Sequence, residues 1–579
     1  MNRTRRGLVF ALGIGVGIAL GIPIARTMQS PPRPKLLPLA EVPAPAARPE
    51  VATWQTFMRD KQVRKVADNV YNATGYGLAT ATMIVAPQGR IIVDTMETTA
   101  VAREVLAAFD AISNAPIAAV IYTHGHPDHT GGTAVFAGPD TPIYGRKEFA
   151  ALAAEQRSPV GTAYRIRSIR QFGLALPEDS PAHFLHIDVH NLEQTMPPTV
   201  QHDAPRTTVE IAGETIELIH APGETIDTQA VWLPASKTLI VGDDMYPAFP
   251  NLYTLRGEPS RDVWRWAEVM DLLASFPAEH LISGHGPPLS GADEVHTALV
   301  AYGDAIQFVH DQTVKGINEG RTPDEIAATL RLPAHLAEHP WLGELYGRVD
   351  WSSRAIASSY INFFGGDAKD LHPLTPRERA ERLHSLSKSG LELVPAARQA
   401  LTSGDAQWAV ELASSALALN PDDADARAAR AEALRACAAA ETSVNGINYY
   451  LTQAAETDGS LLLEDPIRKL SPEYIKGIPL QQIFTALRCR LDAARAESTE
   501  KAIAFTFPDA NETWRIHVRR GIAEITTGAS GNVSAHVTMP AQDFKEMLLG
   551  QRIAALTLLT TASIEGSVLD VKEVMELFR

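Results

Sequence analysis

Cysteine is nearly absent: the 579 residues hold two, Cys437 and Cys489, neither in a metal-binding spacing. That rules out a disulfide framework and a cysteine metal site. A basic excess is missing too, since 52 Lys and Arg stand against 68 Asp and Glu, a net charge of -16. Such a chain is not a nucleic-acid binder, and its overall field does nothing to attract an anion, so any anion site must be local. Only one long apolar run occurs, residues 8–25, behind Arg3, Arg5 and Arg6 and ahead of a Pro-rich stretch over 31–49. It reads as a targeting segment, and residues 4–9 loosely match a twin-arginine signal. The run is near the minimum length for a bilayer span, so a cleaved signal and an uncleaved inner-membrane anchor both fit. Either places the protein outside the cytoplasm, periplasmic or secreted.

What the chain does have is a run of metal-ligand residues. Residues 123–133 read Thr-His-Gly-His-Pro-Asp-His-Thr-Gly-Gly-Thr. His124 and His126 end an apolar segment two residues apart, so on extended backbone both imidazoles point the same way and can hold one metal. Asp128 and His129 follow in the turn and can face a second ion. The spacing points to a dinuclear zinc hydrolase. Zinc needs more ligands than this run provides, and three candidates follow later strands: Glu224 after Gly223, Asp243 after Gly242, and His285 after Gly284. Asp94 closes a strand near the same edge and is expected to orient a ligand histidine rather than bind metal.

A hydrophobic content of 45% and this length allow three or four domains. After the targeting segment and linker of residues 1–50, residues 51–299 alternate short β-rich runs (82–85, 91–94, 118–122, 207–211) with helical stretches (99–109, 261–276), as an α/β sandwich requires. Residues 300–460 have helical periodicity almost throughout. Within them, residues 403–424 resemble a single tetratricopeptide unit. One unit cannot form a solenoid, so its apolar face is expected to bury itself against a second subunit, making a homodimer. Residues 461–579 carry an α+β pattern, with strands at 502–507, 514–519 and 535–539, helices at 541–549 and 570–578, and an apolar groove.

The order of metal-ligand loops resembles the metallo-β-lactamase superfamily, whose αββα sandwich holds two zinc ions at one sheet edge. By that resemblance His124, His126 and Glu224 hold one zinc, Asp128, His129 and His285 the other, and Asp243 bridges them. Glutamate at position 224 resembles the zinc-dependent alkyl sulfatases. So does the run Asn251-Leu252-Tyr253-Thr254-Leu255-Arg256-Gly257, followed by Arg261-Asp262 and Trp264. There, Asn251 and Arg256 imply a sulfate anchor, with Tyr253 beside them in the substrate-binding set and Asp128, Asp243 and Arg256 in the catalytic one. A guanidinium fork suits a tetrahedral oxyanion on chemical grounds as well. Segments at 322–327, 332–340, 346–352 and 371–374 are similar to that family's helical dimerisation domain, and the last hundred or so residues to its sterol-carrier-protein-like domain. The resemblance implies two zinc ions per subunit and hydrolysis of a small amphiphilic sulfate ester, such as dodecyl sulfate, to alcohol and inorganic sulfate. Neither cysteine begins a Cys-x-Pro-x-Arg run, so the calcium-dependent formylglycine sulfatases are excluded.

The family pattern is broken at one place. Typical primary alkyl sulfatases have glutamate then asparagine where this chain has Asp243 and Asp244, and histidines where it has Pro247 and Pro250. Proline donates no proton, so either another group protonates the departing alcohol or the leaving group is acidic enough to need none. An aryl or secondary alkyl sulfate, or another ester, lactone, lactam or phosphoester, therefore stands as the alternative substrate.

Overall fold

The computed structural model describes residues 49–149, 159–177, 195–258, 260–386, 392–463, 472–529 and 531–578. The expected targeting segment lies outside them. Among the described residues no helix is long and apolar enough to cross a membrane. The chain divides into two compact units, one spanning Ala40–Pro466 and the other containing Ile467–Arg579.

Among the described residues the larger unit is built on two sheets. The first holds seven strands in chain order: β1 (Gln62–Ala67), β2 (Val70–Thr74), β3 (Ala81–Ala86), β4 (Gly89–Val93), β5 (Ile117–Ile121), β6 (Ile143–Arg146) and β7 (Val200–His202). It runs antiparallel to β4 and parallel from there on. The second contains β8 (Arg206–Ile211), β9 (Glu214–His220), β10 (Gln229–Leu233), β11 (Thr238–Ile240), β12 (His280–Ile282) and β13 (Leu289–Ser290), ordered β13-β12-β11-β10-β9-β8.

Strand alternation makes the layers. Ile91 and Val93 of β4, with Ala119 and Ile121 of β5, meet Leu218, Val231, Ile240 and Ile282 of the second sheet in a shared core. The intervening Ile92 and Val120 face outward and pack on the helix Thr99–Asp110. On the far side Ile219, Ala230, Trp232 and Leu239 bury against the helices Val263–Ala274 and Ala292–Asn318. This is the αββα sandwich expected from the sequence, and the expected strands and helices lie within two residues of the observed ones.

The boundary drawn at residues 299 and 300 falls inside the helix Ala292–Asn318, whose Tyr302, Ala305 and Val309 share the core of the second sheet. Further on, the helices Leu393–Thr402, Ala406–Leu419, Ala424–Ala440 and Val444–Asp458 follow one another. Leu412, Ala413 and Ala416 of the expected tetratricopeptide-like unit are buried with Ala397, Ala426 and Ala429 of its neighbours. Its apolar face is thus covered within the chain, by helices whose own patterning complements it.

The smaller unit holds a five-stranded sheet of β14 (Glu500–Phe507), β15 (Glu512–Arg519), β16 (Ile522–Thr527), β17 (Ala535–Thr538) and β18 (Ser563–Gly566), ordered β16-β15-β14-β17-β18. Phe484, Phe505, Phe507, Trp514 and Phe544 form its aromatic centre, with Phe484 and Trp514 stacked at 4.5 Å. A cavity of about 410 Å³, lined by Met547, Leu548, Leu558, Met575, Phe578 and Arg490, matches the expected apolar groove.

Candidate metal centre

Each proposed ligand leaves the C-terminal end of a strand. β5 delivers Thr123 and His124, and His126 precedes the one-turn helix Pro127–Thr130, which carries Asp128 and His129. β9 leads to Glu224, β11 to Asp243 and β12 to His285. Two glycines allow the approach: Gly242 has φ +54, and a Cβ on Gly284 would lie 1.9 Å from Asp243 Oδ1.

The structure brings all seven residues together. Two groups have donor atoms within 4.8 Å of one another: His124, His126, Glu224 and Asp243, and Asp128, His129, Asp243 and His285. Asp243 belongs to both. His129 Nε2 lies 3.2 Å from its Oδ1 and His285 Nε2 3.1 Å from its Oδ2. His126 Nδ1 lies 3.2 Å and His124 Nε2 3.5 Å from Glu224 Oε2. The residues suit a metal pair on the evidence of their own valences: His129 Nε2, Glu224 Oε2 and Asp243 Oδ1 are buried without a hydrogen-bond partner. Imidazoles and carboxylates without thiolates form a donor set found in dinuclear hydrolytic sites.

The surroundings fix these side chains. Asp94, at φ 59 in the left-handed region, accepts from Thr123 N, Thr123 Oγ1 and His129 Nδ1, each at 2.7 Å. It fixes the ring of His129, the orienting contact its place at the end of β4 suggested. His285 Nδ1 donates to Leu78 O at 2.7 Å, which turns Nε2 toward the cluster. Asp244 Oδ1 accepts from Glu224 N at 2.8 Å.

Electrostatics follow from burial and close charge. Burial, with His129 and His126 nearby, holds His124 well below the usual imidazole range. Burial alone would depress His129 and His285, but the acids outweigh it. Asp243, Asp94 and Asp128 keep His129 well above its usual range, and Asp243 lifts His285 to about 9. Burial would likewise raise Glu224, yet Arg261 and His126 hold it at about 2. Glu224 and Asp243 therefore stay ionised, and His129 and His285 carry protons that metal binding would displace.

A cavity of about 180 Å³ opens beside the cluster. Its polar end has Asn251 and Arg256 with His126, Asp128, Glu224, Asp243 and His285; its apolar wall has Trp54, Leu78, Phe172, Leu174, Tyr246 and Tyr346. Tyr253 corrects the sequence expectation. It lies outside this lining, facing a separate pocket, with its hydroxyl accepting from Arg167 Nη2 at 3.4 Å. The segment is irregular, so a neighbour of Asn251 does not share its direction.

Four residues were missed. Arg261 Nη2 lies 2.7 Å from Glu224 Oε1, pinning that ligand. Tyr164 and Glu258 hold the guanidinium of Arg256 through Nε, at 2.7 Å and 2.9 Å. Glu97 is buried in the cavity wall, and burial lifts its carboxyl to about 7. Arg261 stood in the quoted run beside Trp264; the other three carry no local signal.

Helical segments complete the cavity. Phe249 N donates to Gly343 O at 2.7 Å, and Ser443 Oγ to Tyr346 O at 2.6 Å, which sets Tyr346 in the wall. The helix Gly161–Phe172, which supplies Tyr164, Ser168 and Phe172, is tied to Val444–Asp458 by Asn448 Nδ2 to Gln171 O at 3.1 Å and by Arg170 with Glu456 at 2.8 Å.

Family models match in series: the metallo-beta-lactamase superfamily over residues 74–285, alkyl sulfatase dimerisation over 322–460 and alkyl sulfatase C-terminal over 468–579. A linear primary-alkylsulfatase of a Pseudomonas species is 35% identical over 518 residues, covering 86% of this chain and 98% of that protein. An alkyl/aryl-sulfatase of Saccharomyces cerevisiae is 26% identical over 560 residues, covering 93% and 85%. The solved structure of the stereoselective inverting sec-alkylsulfatase Pisa1 from Pseudomonas sp. has the same fold, with a TM-score of 0.80 at 24% identity over 92% of this chain and 86% of that one. With its three matched regions and a relative aligned along nearly its whole length, this chain belongs to the alkyl sulfatase family of the metallo-beta-lactamase superfamily.

Proposed function

We propose that the protein hydrolyses amphiphilic alkyl sulfate esters, dodecyl sulfate-like, to an alcohol and inorganic sulfate, with two zinc ions. One observation carries the reading: a single cavity joins His126, Asp128, Glu224, Asp243 and His285 of the cluster, an Arg256–Asn251 anion corner and an apolar wall. His124, His126 and Glu224 would hold one ion, Asp128, His129 and His285 the other, with Asp243 between. Bound there, the metal pair supplies Lewis acidity and lowers the pKa of water, giving a nucleophile at neutral pH.

The chain's own residues do the rest. Arg256 and Asn251 orient the sulfate head, and Arg256 offsets charge as the ester bond breaks. Trp54, Phe172, Leu174 and Tyr346 receive the alkyl chain and keep water from it. Among the hydroxyl- and carboxyl-bearing groups of the lining, Glu97 and Tyr246 can donate a proton where Pro247 and Pro250 cannot. An aryl sulfate, whose phenol needs no proton, is the second reading, favoured by those two prolines.

A homodimer is part of the proposal: Tyr360, Phe363, Leu371, Leu374 and Leu386 are exposed within the region that matches the dimerisation model. Export, with or without a membrane anchor, rests on residues 1–50.

The test is sulfate release from dodecyl sulfate, a secondary alkyl sulfate and an aryl sulfate by zinc-loaded protein, beside Asp243→Ala and Arg256→Ala. Release abolished by the first substitution and strongly weakened by the second supports the reading. No release from any ester, with zinc bound, redirects it to another ester in the same fold.

A further inference from the structure

Glu258 lies outside both the ligand cluster and the cavity lining, yet it gathers the cations of the anion corner. Arg256 donates to its Oε1 from Nε at 2.9 Å and from Nη2 at 2.5 Å. Arg261 Nη2 donates to Oε2 at 3.2 Å, and Tyr164 OH to Oε1 at 3.0 Å. His126 Nε2 is 3.9 Å from the same Oε1. The carboxylate is well shielded, at 12% side-chain exposure against 9% for Arg256 and 5% for Arg261. Arg256 and Arg261 keep it firmly ionised against the pull of burial.

Two consequences follow. The Nε–Nη2 side of Arg256, one of the two edges with which a guanidinium grips an oxyanion, is already occupied by Glu258 and Tyr164. The positive charge that Arg256 brings to the corner is also balanced from behind, while Arg261 is shared between Glu258 and Glu224. The corner offers hydrogen bonds to an oxyanion without offering it an unbalanced charge.

We infer that Glu258 is a specificity-determining residue, setting the charge balance of the anion corner so that it accepts a singly charged sulfate ester and disfavours doubly charged oxyanions. The inference rests on the sulfatase reading above. A sulfate monoester carries one negative charge. Its inorganic product carries two, as does a phosphate monoester above its second pKa of about 6. For the second charge, Glu258 stands one guanidinium away with no spare cation between them among the described residues, a like-charge penalty beside well-shielded groups. The same penalty promotes release of the product sulfate.

The test compares Glu258→Gln with the unaltered full-length, zinc-loaded protein, measuring KM for dodecyl sulfate and the inhibition constant of inorganic sulfate. The inhibition constant is expected to fall about tenfold while KM falls by less than about threefold. Glu258→Asp should restore the original ratio. Parallel shifts of both constants would reduce Glu258 to a positioning residue for Arg256 and overturn the inference, as would no shift at all. A measurement without substitution guards against a misfolded variant. Binding of dodecyl phosphate to the unaltered protein, followed by calorimetry from pH 5.5 to 8, should weaken about tenfold as it takes its second charge, while binding of dodecyl sulfonate stays level. Equal binding of both phosphate forms, relative to the sulfonate, sinks the inference even if no sulfate ester is hydrolysed. Hydrolysis failing while the charge preference holds sinks only the sulfatase reading.

Discussion

Arg261→Met keeps the aliphatic stem and removes the guanidinium that joins the metal ligands to the anion corner. In the folded protein Arg261 Nη2 meets Glu224 Oε1 at 2.7 Å and Glu258 Oε2 at 3.2 Å, and Nη1 donates to Asn251 O at 2.6 Å. Removing one partner of a buried pair costs about 3–5 kcal/mol, because the remaining charge is stranded. The orphaned Asn251 carbonyl adds about 1–3 kcal/mol. Glu224 also keeps His126 as a partner, and Glu258 keeps Arg256, so the lower part of the sum is expected, about 4 kcal/mol. Glu224, no longer pinned, should bind metal about 10–100-fold more weakly. Urea unfolding of the metal-free protein by tryptophan fluorescence reads the first quantity, and competition for zinc against a chromogenic chelator reads the second. A variant that unfolds within about 1 kcal/mol of the original and holds both zinc equivalents as tightly would refute the pinning role.

Asp94→Asn should loosen His129, since an amide cannot accept from Thr123 N, Thr123 Oγ1 and His129 Nδ1 at once; metal titration should find one ion bound about 10–100-fold more weakly, and two unchanged ions would argue against it. Glu97 gives a pH dependence. Burial lifts its carboxyl from 4.5 to about 7, so between those values the folded metal-free protein holds a proton that the unfolded chain has lost. Stability should therefore fall as pH rises through that window, by about 3 kcal/mol, and Glu97→Gln should flatten the slope; identical slopes would count against the assignment. Phe544→Ala, at the aromatic centre of the smaller unit, should cost that unit about 3–5 kcal/mol in thermal unfolding, and a loss below about 1 kcal/mol would contradict the packing described.

The candidate metal ligands were legible because Glu224, Asp243 and His285 each follow a strand through a glycine, a local pattern that survives in one dimension. His124, His126, Asp128 and His129 even crowd into residues 124–129. Short continuous apolar strands, such as Ile91-Ile92-Val93 or Ala118-Ala119-Val120-Ile121, were legible for the same reason. β1 and β2 were not: Asn72 and Thr74 are buried in β2, where Asn72 Nδ2 donates to Thr82 of the next strand, so the pattern looks polar. Tyr164, Glu258 and Glu97 escaped notice because their roles depend on partners brought together by folding, as Tyr164 is with Arg256. Tyr253 was misplaced because adjacency in an irregular segment says nothing about direction. The burial of the tetratricopeptide-like face within the chain was hidden by reading one helical pair without its neighbours.

Tyr346 sits in the cavity wall because Ser443 holds its backbone, and the helix bearing Tyr164 and Phe172 is clasped by Asn448 and Glu456. The part of the chain that would pair subunits thus also shapes the hollow where a hydrocarbon tail would lie. Exchanging helical regions between relatives would transplant a preference for tail length along with the mode of pairing, and the sandwich alone, cut free of its helices, would be an enzyme with its reagents in place and one side of its vessel missing.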